Sequence, residues 1–418
     1  MKKIAAPLKT ILKVSWLSLA IPTTLLVCSE SAAFVYHSAR QLMVGDQLST
    51  YVRAQVAKMP RDGYASPADQ SWFAAYWKEF NDSTYASVDW ASYSNYHRHP
   101  FQGRYINVDR SGRRVTWNQN PTGAGGMIRL GIFGGSTIWG TGARDEFTIP
   151  SYVSKLLAAR YPHRFAVINY GQDRYVITQE VITLLREIQI DRAPQIAVFY
   201  DGYNDVFAAI QSGIAGIPMN EDDRLREFNI LHPSRARDFY FEASSRTGSF
   251  QLIQRLQAAL RPEAVADSPQ HKNPDALAND VVGVYSCNIE FVSAIAKEGG
   301  RMAQFYWEPS VYSKSSLTGP EKSILRSSDH IAAFYRQVQA VVRHRVANRS
   351  NFRDISGALD GYATTAFIDT HNVTELANEM IAREIVADLK DSLDRVVSRA
   401  SVERALTDSN TAGPTNSH

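Results

Sequence analysis

The sequence predicts an α/β chain, a three-layer α/β/α sandwich around a central parallel sheet. Three observations predict it. From residue 127 onward, short apolar runs alternate with stretches of helical spacing, the pattern of strands crossing over through helices. Several of those runs end in a glycine-bearing or ionisable cluster, where open parallel sheets deliver their ligands. Finally, hydrophobic residues make up 44% and charged residues 21% of the 418 positions, a globular composition that excludes disorder over most of the length.

The N-terminus comes first. Lys2, Lys3, Lys9 and Lys13 precede an uncharged run over 14–29, and with Glu30 tolerated the segment 14–36 reaches 23 residues. At about 1.5 Å per residue that spans roughly 34 Å, enough to cross a bilayer. The lysines orient it with the N-terminus inside, so residues 1–37 predict a signal anchor with the body of the chain outside the cytoplasm. Cleavage at Ser31-Ala32-Ala33 is the alternative. Cys28 makes a poor lipid anchor, because Val27 fills the place of a small residue.

Residues 38–125 form an aromatic-rich, membrane-proximal region in which extended runs flank a turn at Asp109-Arg110-Ser111-Gly112. Aromatic crowding of this kind serves ordinary packing, interfaces or sugar stacking. The glycine-rich 122–126 is a break, and the main domain runs over 126–395. Strands are expected at 127–133, 165–170, 195–200, 302–307 and 366–368, and helices at 149–161, 178–188 and 374–389. An insertion at about 206–300 holds helices at 250–260 and 276–297, and the polar tail, 396–418, is expected to be disordered.

Balanced charge, 45 Lys+Arg against 42 Asp+Glu, argues against a nucleic-acid partner. Two cysteines without a Cys/His cluster offer no structural zinc site. The glycines of 140–145 lack the spacing of a dinucleotide fingerprint, and no phosphate-binding glycine loop with Lys-Ser/Thr occurs, so no cofactor and no metal are expected. Asp201, Asp205 and Glu308 form an acidic set whose spacing requires no metal.

The strand ends carry the chemistry. After the first stand Gly134-Gly135-Ser136-Thr137. After the second comes Gly171, after the third Asp201-Gly202-Tyr203-Asn204-Asp205, and after the fifth Asp369-Thr370-His371-Asn372. A serine hydroxyl needs an imidazole to take its proton, and a tetrahedral oxyanion needs preset donors. Each residue also has a plain role: Ser136 as a helix cap, Asn204 and Asp201 as turn formers, His371 as a surface histidine.

Taken together, "FGGSTIWG", "NYGQD", "YDGYND" and "FIDTHNVTELANEMIA" resemble the four blocks of the SGNH (GDSL-like) hydrolase superfamily, and the longer strings resemble a membrane-anchored bacterial branch. The resemblance covers roughly 127–395 without the insertion. It implies Ser136 as nucleophile and an oxyanion hole of Ser136, Gly171 and Asn204. It also implies an Asp/His pair, Asp369 and His371, and a serine-dependent ester hydrolase or acyl transferase, and the position outside the cytoplasm adds acyl esters of envelope polysaccharide or lipid as substrates. One position departs. Counting back from Thr374, the family's histidine place holds Asn372, and His371 stands one residue early. Either the loop absorbs the slip and His371 is the base, or the base comes from His330 or His232, or it is lost. In the last case the chain is a glycan-binding or assembly protein on a hydrolase fold. If residues 369–371 continue the strand, Asp369 and His371 point to one side. Glu308, Trp139 and Trp307 are expected beside the pocket, although either tryptophan is equally suited to the core.

Overall fold

The structure is a computed structural model, and it describes residues 59–65, 70–85, 88–119, 127–221 and 273–411, with fragments of helix near 24–35 and at 224–225. Chain contacts divide it into two units, Met1–Ala57 with Asp222–Asp267, and Lys58–Glu221 with Ser268–His418. Almost all described residues, and the whole sheet with its helices, belong to the second unit. Among the described residues no helix is long and apolar enough to cross a membrane. Most of the 14–36 segment, the 122–126 break and the helix expected at 250–260 lie outside the described residues.

Five parallel strands form the centre: β5 (Ile128–Gly134), β6 (Phe165–Asn169), β7 (Ile196–Asp201), β8 (Met302–Trp307) and β9 (Phe352–Asp354). They lie in the order β6-β5-β7-β8-β9. Strands β5 and β7 are buried almost throughout, as expected for a sheet covered on both faces. Phe133 stacks on Tyr170 at 4.6 Å and on Phe199 at 4.9 Å, and Phe199 on Phe305 at 4.8 Å, so one row of rings runs across the sheet.

The chain steps from β5 to β6 in one direction and from β6 through β7 to β9 in the other. Right-handed crossovers then place helices on both faces. Helix α3 (Ile149–Arg160) packs with α9 (Glu375–Thr411), while α6 (Pro274–Glu298) packs with α8 (Asp329–Arg345). Helices α4 (Ile177–Gln189) and α5 (Tyr203–Ser212) complete the second layer beside α6. The reversal of strand order falls at β5, between β6 and β7, which is where such sheets open a crevice.

Two expectations are corrected. The fifth strand is β9, and 366–368 makes only one antiparallel bridge, Phe367 with Val373. A three-residue strand with one exposed position carries too little apolar signal to stand out, whereas Ala366-Phe367-Ile368 is apolar because it is buried beneath a turn. The expected disordered tail over 396–418 is instead helix as far as Thr411, since from Ser398 to that point no glycine or proline interrupts propagation of a helix already nucleated by packing.

Upstream of the sheet lie helix α1 (Gln70–Tyr85) and two small antiparallel pairs, β1 (Val88–Ala91) with β2 (Asn95–Arg98), and β3 (Phe101–Gln102) with β4 (Asn107–Val108). The Asp109–Gly112 turn forms, closed by Gly112 N–H on the Asp109 carbonyl at 3.0 Å. Glu79 of α1 accepts the N–H groups of Tyr105 at 2.8 Å and Ile106 at 2.6 Å. The guanidinium groups of Arg98 and Arg114 lie over the indole of buried Trp139, 4.8 and 4.5 Å from its ring centre. Arg114 is itself fully enclosed, with Nε 2.6 Å from Asp145 and Nη2 donating to the Ala143 carbonyl at 2.8 Å.

Candidate active site

Strand β5 ends on two glycines and passes into the four-residue helix α2 (Ser136–Trp139). Gly135 has a specific reason to be glycine: a Cβ there would stand 2.2 Å from Asn204 Nδ2. Its absence lets the amide of α5 reach the turn before Ser136. Ser136 heads α2, so its backbone N–H has no intrahelical acceptor.

Ser136 Oγ lies 3.0 Å from His371 Nε2, joining residues 235 positions apart in the chain. To accept the serine proton, Nε2 must be free and Nδ1 protonated. Around Nδ1 stand Thr370 Oγ1 at 3.2 Å and Asp369 Oδ1 at 3.6 Å. The imidazole stacks on Tyr203, centroids 4.0 Å apart and planes 10° from parallel. Burial lowers the His371 pKa below its ordinary value, against the pull of Asp369 and Asp173, which raises it.

Residues 369–371 do not continue a strand. They form a turn closed by Ile368 N–H on the Asn372 carbonyl at 3.0 Å. Asp369 spends its carboxylate within that turn: Oδ1 accepts from the N–H groups of His371 and Asn372, and Oδ2 from the Asn372 side-chain amide. In so tight a turn a short aspartate is better placed to satisfy backbone donors than to reach the ring. Asn372 is buried and accepts the Thr137 hydroxyl at 3.3 Å, so the residue at the family's histidine place fastens the turn to α2.

The base of the turn is anchored from elsewhere. Glu321 Oε1 accepts the N–H groups of Ala366 and Phe367, and both its oxygens lie 2.9 Å from buried Lys314 Nζ. Glu375, just past the turn, is a fully buried carboxylate held by Arg144 at 2.7 Å through both Nε and Nη2.

The oxyanion donors implied by the sequence are only partly assembled. Asn204 is buried and donates one Nδ2 hydrogen to the Tyr175 carbonyl at 2.8 Å, leaving the second on the Gly135 side. Gly171 differs from its expected part, because its N–H donates to Asn169 Oδ1 at 2.8 Å. Asn169 Nδ2 in turn donates to the Ile138 carbonyl at 2.8 Å, so this amide ties the second loop to α2. Gly171 is needed for contact: a Cβ would fall 2.3 Å from Trp139 N.

Behind Asn204 lie four buried carboxyl groups, Glu180, Asp201, Asp205 and Glu308. Burial raises the pKa of all four, and their mutual repulsion adds to this for Glu180, Asp205 and Glu308. With Glu180 and Asp201 both ionised, all four of their oxygens would lack a donor. A proton held between Glu180 and Asp201 gives one oxygen of each a partner, and that bond raises Glu180 while lowering Asp201. Glu308 accepts the Tyr203 N–H at 2.7 Å, and Asp205 accepts from Ile177 N–H. Among the described residues no group of acids and histidines is arranged to hold a metal ion.

Trp139 and Trp307, expected beside the pocket, are both fully buried in the core, and Glu308 is enclosed beneath Tyr203. His330 is exposed on α8, and His232 lies outside the described residues. Asn169, Tyr203, Thr137 and Glu180 do not stand out as site residues in the sequence. One carries a signal: Glu180 falls on the apolar stripe of Ile177, Val181 and Leu184.

No protein-family model and no curated protein matches the chain. Among solved structures, it is similar to the acetyl xylan esterase AlAXEase, at 13% identity and a TM-score of 0.31, covering 62% of this chain and 98% of that one. It is similar to the acetylxylan esterase Axe2 from Geobacillus stearothermophilus, at 14% identity and a TM-score of 0.32, covering 63% of this chain and 94% of that one. A third is LAE5, an alpha/beta hydrolase from the metagenome of Lake Arreo, Spain, at 13% identity and a TM-score of 0.31, covering 62% and 94%.

Proposed function

We propose that the chain is a serine-dependent ester hydrolase of SGNH type, with Ser136 as nucleophile and His371 as base. One observation carries the reading, the 3.0 Å approach of Ser136 Oγ to His371 Nε2 at the topological switch point of the sheet. Ser136 Oγ attacks the acyl carbon as its proton passes to Nε2. The oxyanion takes hydrogen bonds from the Ser136 N–H and Asn204 Nδ2. Collapse breaks the ester bond, the leaving alcohol receives the proton from Nε2, and water activated by the same nitrogen releases the acid from acyl-Ser136.

The lysine-rich start and the apolar 14–36 segment support action outside the cytoplasm, at the membrane, on acyl esters of envelope polysaccharide or lipid. That His371 rather than Asn372 faces the serine supports an enzyme over a hydrolase fold that has lost its base.

A fluorophosphonate probe tests the reading. The wild-type chain is expected to label at Ser136 and to hydrolyse p-nitrophenyl acetate. His371→Ala lowers both by roughly 10⁴–10⁶, with an unchanged melting temperature. A chain that does not label, or that labels equally well in His371→Ala, overturns it.

A further inference from the structure

The β1–β2 hairpin carries two large rings that the fold leaves unused. Trp90 is 74% and Tyr93 80% exposed. Tyr93 also holds a left-handed φ of 70°, a conformation costly for an aromatic residue and most often retained where it serves a purpose. Trp90 lines a cleft of about 260 Å³ together with His97, Arg113, Tyr175 and Arg186. The Arg186 guanidinium lies 6.0 Å from the Tyr93 ring centre. The cleft is connected to the active site through one loop, since Tyr175, which lines it, also holds Asn204 through its carbonyl at 2.8 Å.

Its chemistry selects an occupant. A sugar ring presents C–H faces that stack on an aromatic surface and a rim of hydroxyls that both donate and accept. Here an exposed indole lines a cleft together with hydroxyl, imidazole and guanidinium groups. The two arginines are matched by two carboxylates: Arg113 pairs with Asp109 at 3.2 Å, and Glu187 lines the same cleft as Arg186. That balance disfavours a polyanion. Two isolated rings also offer far less apolar surface than a protein partner buries at the core of an interface. The volume is near the lower end of small-ligand sites, suited to one unit of a chain that continues into solvent.

We infer that this cleft is a sugar-binding subsite, which holds one neutral residue of a polysaccharide whose ester is presented to Ser136. The inference rests on the proposed esterase function for what happens to the bound chain, but not for the binding itself.

The experiment uses the full-length chain with Ser136→Ala, probed on an array of neutral and acidic polysaccharides, and a Ser136-intact chain assayed on p-nitrophenyl acetate. Retention on at least one neutral polysaccharide is expected, weakened at least tenfold by Trp90→Ala or Arg186→Ala. Hydrolysis of the small ester by Trp90→Ala should match wild type, because Trp90 is exposed and touches no reacting group. No retention, retention on acidic polymers alone, retention indifferent to both substitutions, or Trp90-dependent capture of a protein in place of a glycan overturns the cleft. Trp90-dependent retention in a chain without Ser136-dependent hydrolysis upholds the cleft and overturns the esterase reading instead.

Discussion

The two ends of the catalytic line are held by different physics. At the base end, His371 sits on a turn whose own aspartate is half exposed and bonded to the backbone around it. At the donor end, Asn204 stands in the first turn of a helix beside four buried carboxyl groups, all with pKa values raised by burial. The first arrangement is local, an enclosed imidazole on a turn whose aspartate reaches solvent, and the second is long-range and dry. A general base has to change its charge during turnover, and the nearby Asp369 carboxylate favours that change against the burial that opposes it. An oxyanion donor gains most from being fixed in a low-dielectric setting before charge develops.

The sharpest test of this contrast is Asn204→Ala. Turnover is expected to fall by about 10²–10³ with little change in KM, since the lost interaction is made in the transition state. Steady-state kinetics on a small ester decide it, and a loss confined to KM would make Asn204 a ground-state contact. Next in size is Asp369→Asn. A carboxylate bonded directly to the ring of a catalytic histidine is worth about 10⁴ in turnover. Asp369 at 3.6 Å, with its oxygens already committed, is expected to cost only about tenfold. Because Asp369 raises the His371 pKa, the acid limb of kcat/KM should move to lower pH in the variant, from a wild-type position already below that of a free imidazole. A loss of 10⁴ would show that the carboxylate does reach Nδ1 during turnover.

The smallest effect concerns stability. An acid whose folded pKa is raised keeps its proton in the native state while the unfolded chain releases it, so stability falls as pH climbs between the two values. Asp201 is pushed up to about 7, so thermal melts should lose several degrees between about pH 4 and pH 7. In Asp201→Asn, whose amide can donate to Glu180, that loss should shrink. Equal slopes for the two proteins would mean that the buried acids are not sharing protons.

Much of the site was legible because parallel sheets place strand ends together. Ser136, Asn204 and His371 each follow a sheet strand or a buried apolar run, and glycine marks the turns. What stayed hidden depends on tertiary neighbours. Asn169 matters because it reaches α2 thirty-one residues upstream, and no local pattern distinguishes its amide from any strand-end asparagine. The short β9 and the bridged Ala366–Ile368 run exchange roles because apolar residues under a turn and apolar residues in a strand look alike in the sequence. The acidic set of Asp201, Asp205 and Glu308 gains its fourth member, Glu180, from the helix before β7, and only burial joins it to the other three.

The arginines over Trp139 bear on modularity. The tryptophan three residues past the nucleophile is covered by side chains from positions 98 and 114, made before the first sheet strand leaves the ribosome. A fragment beginning at residue 127 would bare that indole and lose the two guanidinium groups stacked on it. The smallest piece of this protein that can be transplanted, recombined or inherited with its core intact therefore begins upstream of Arg98.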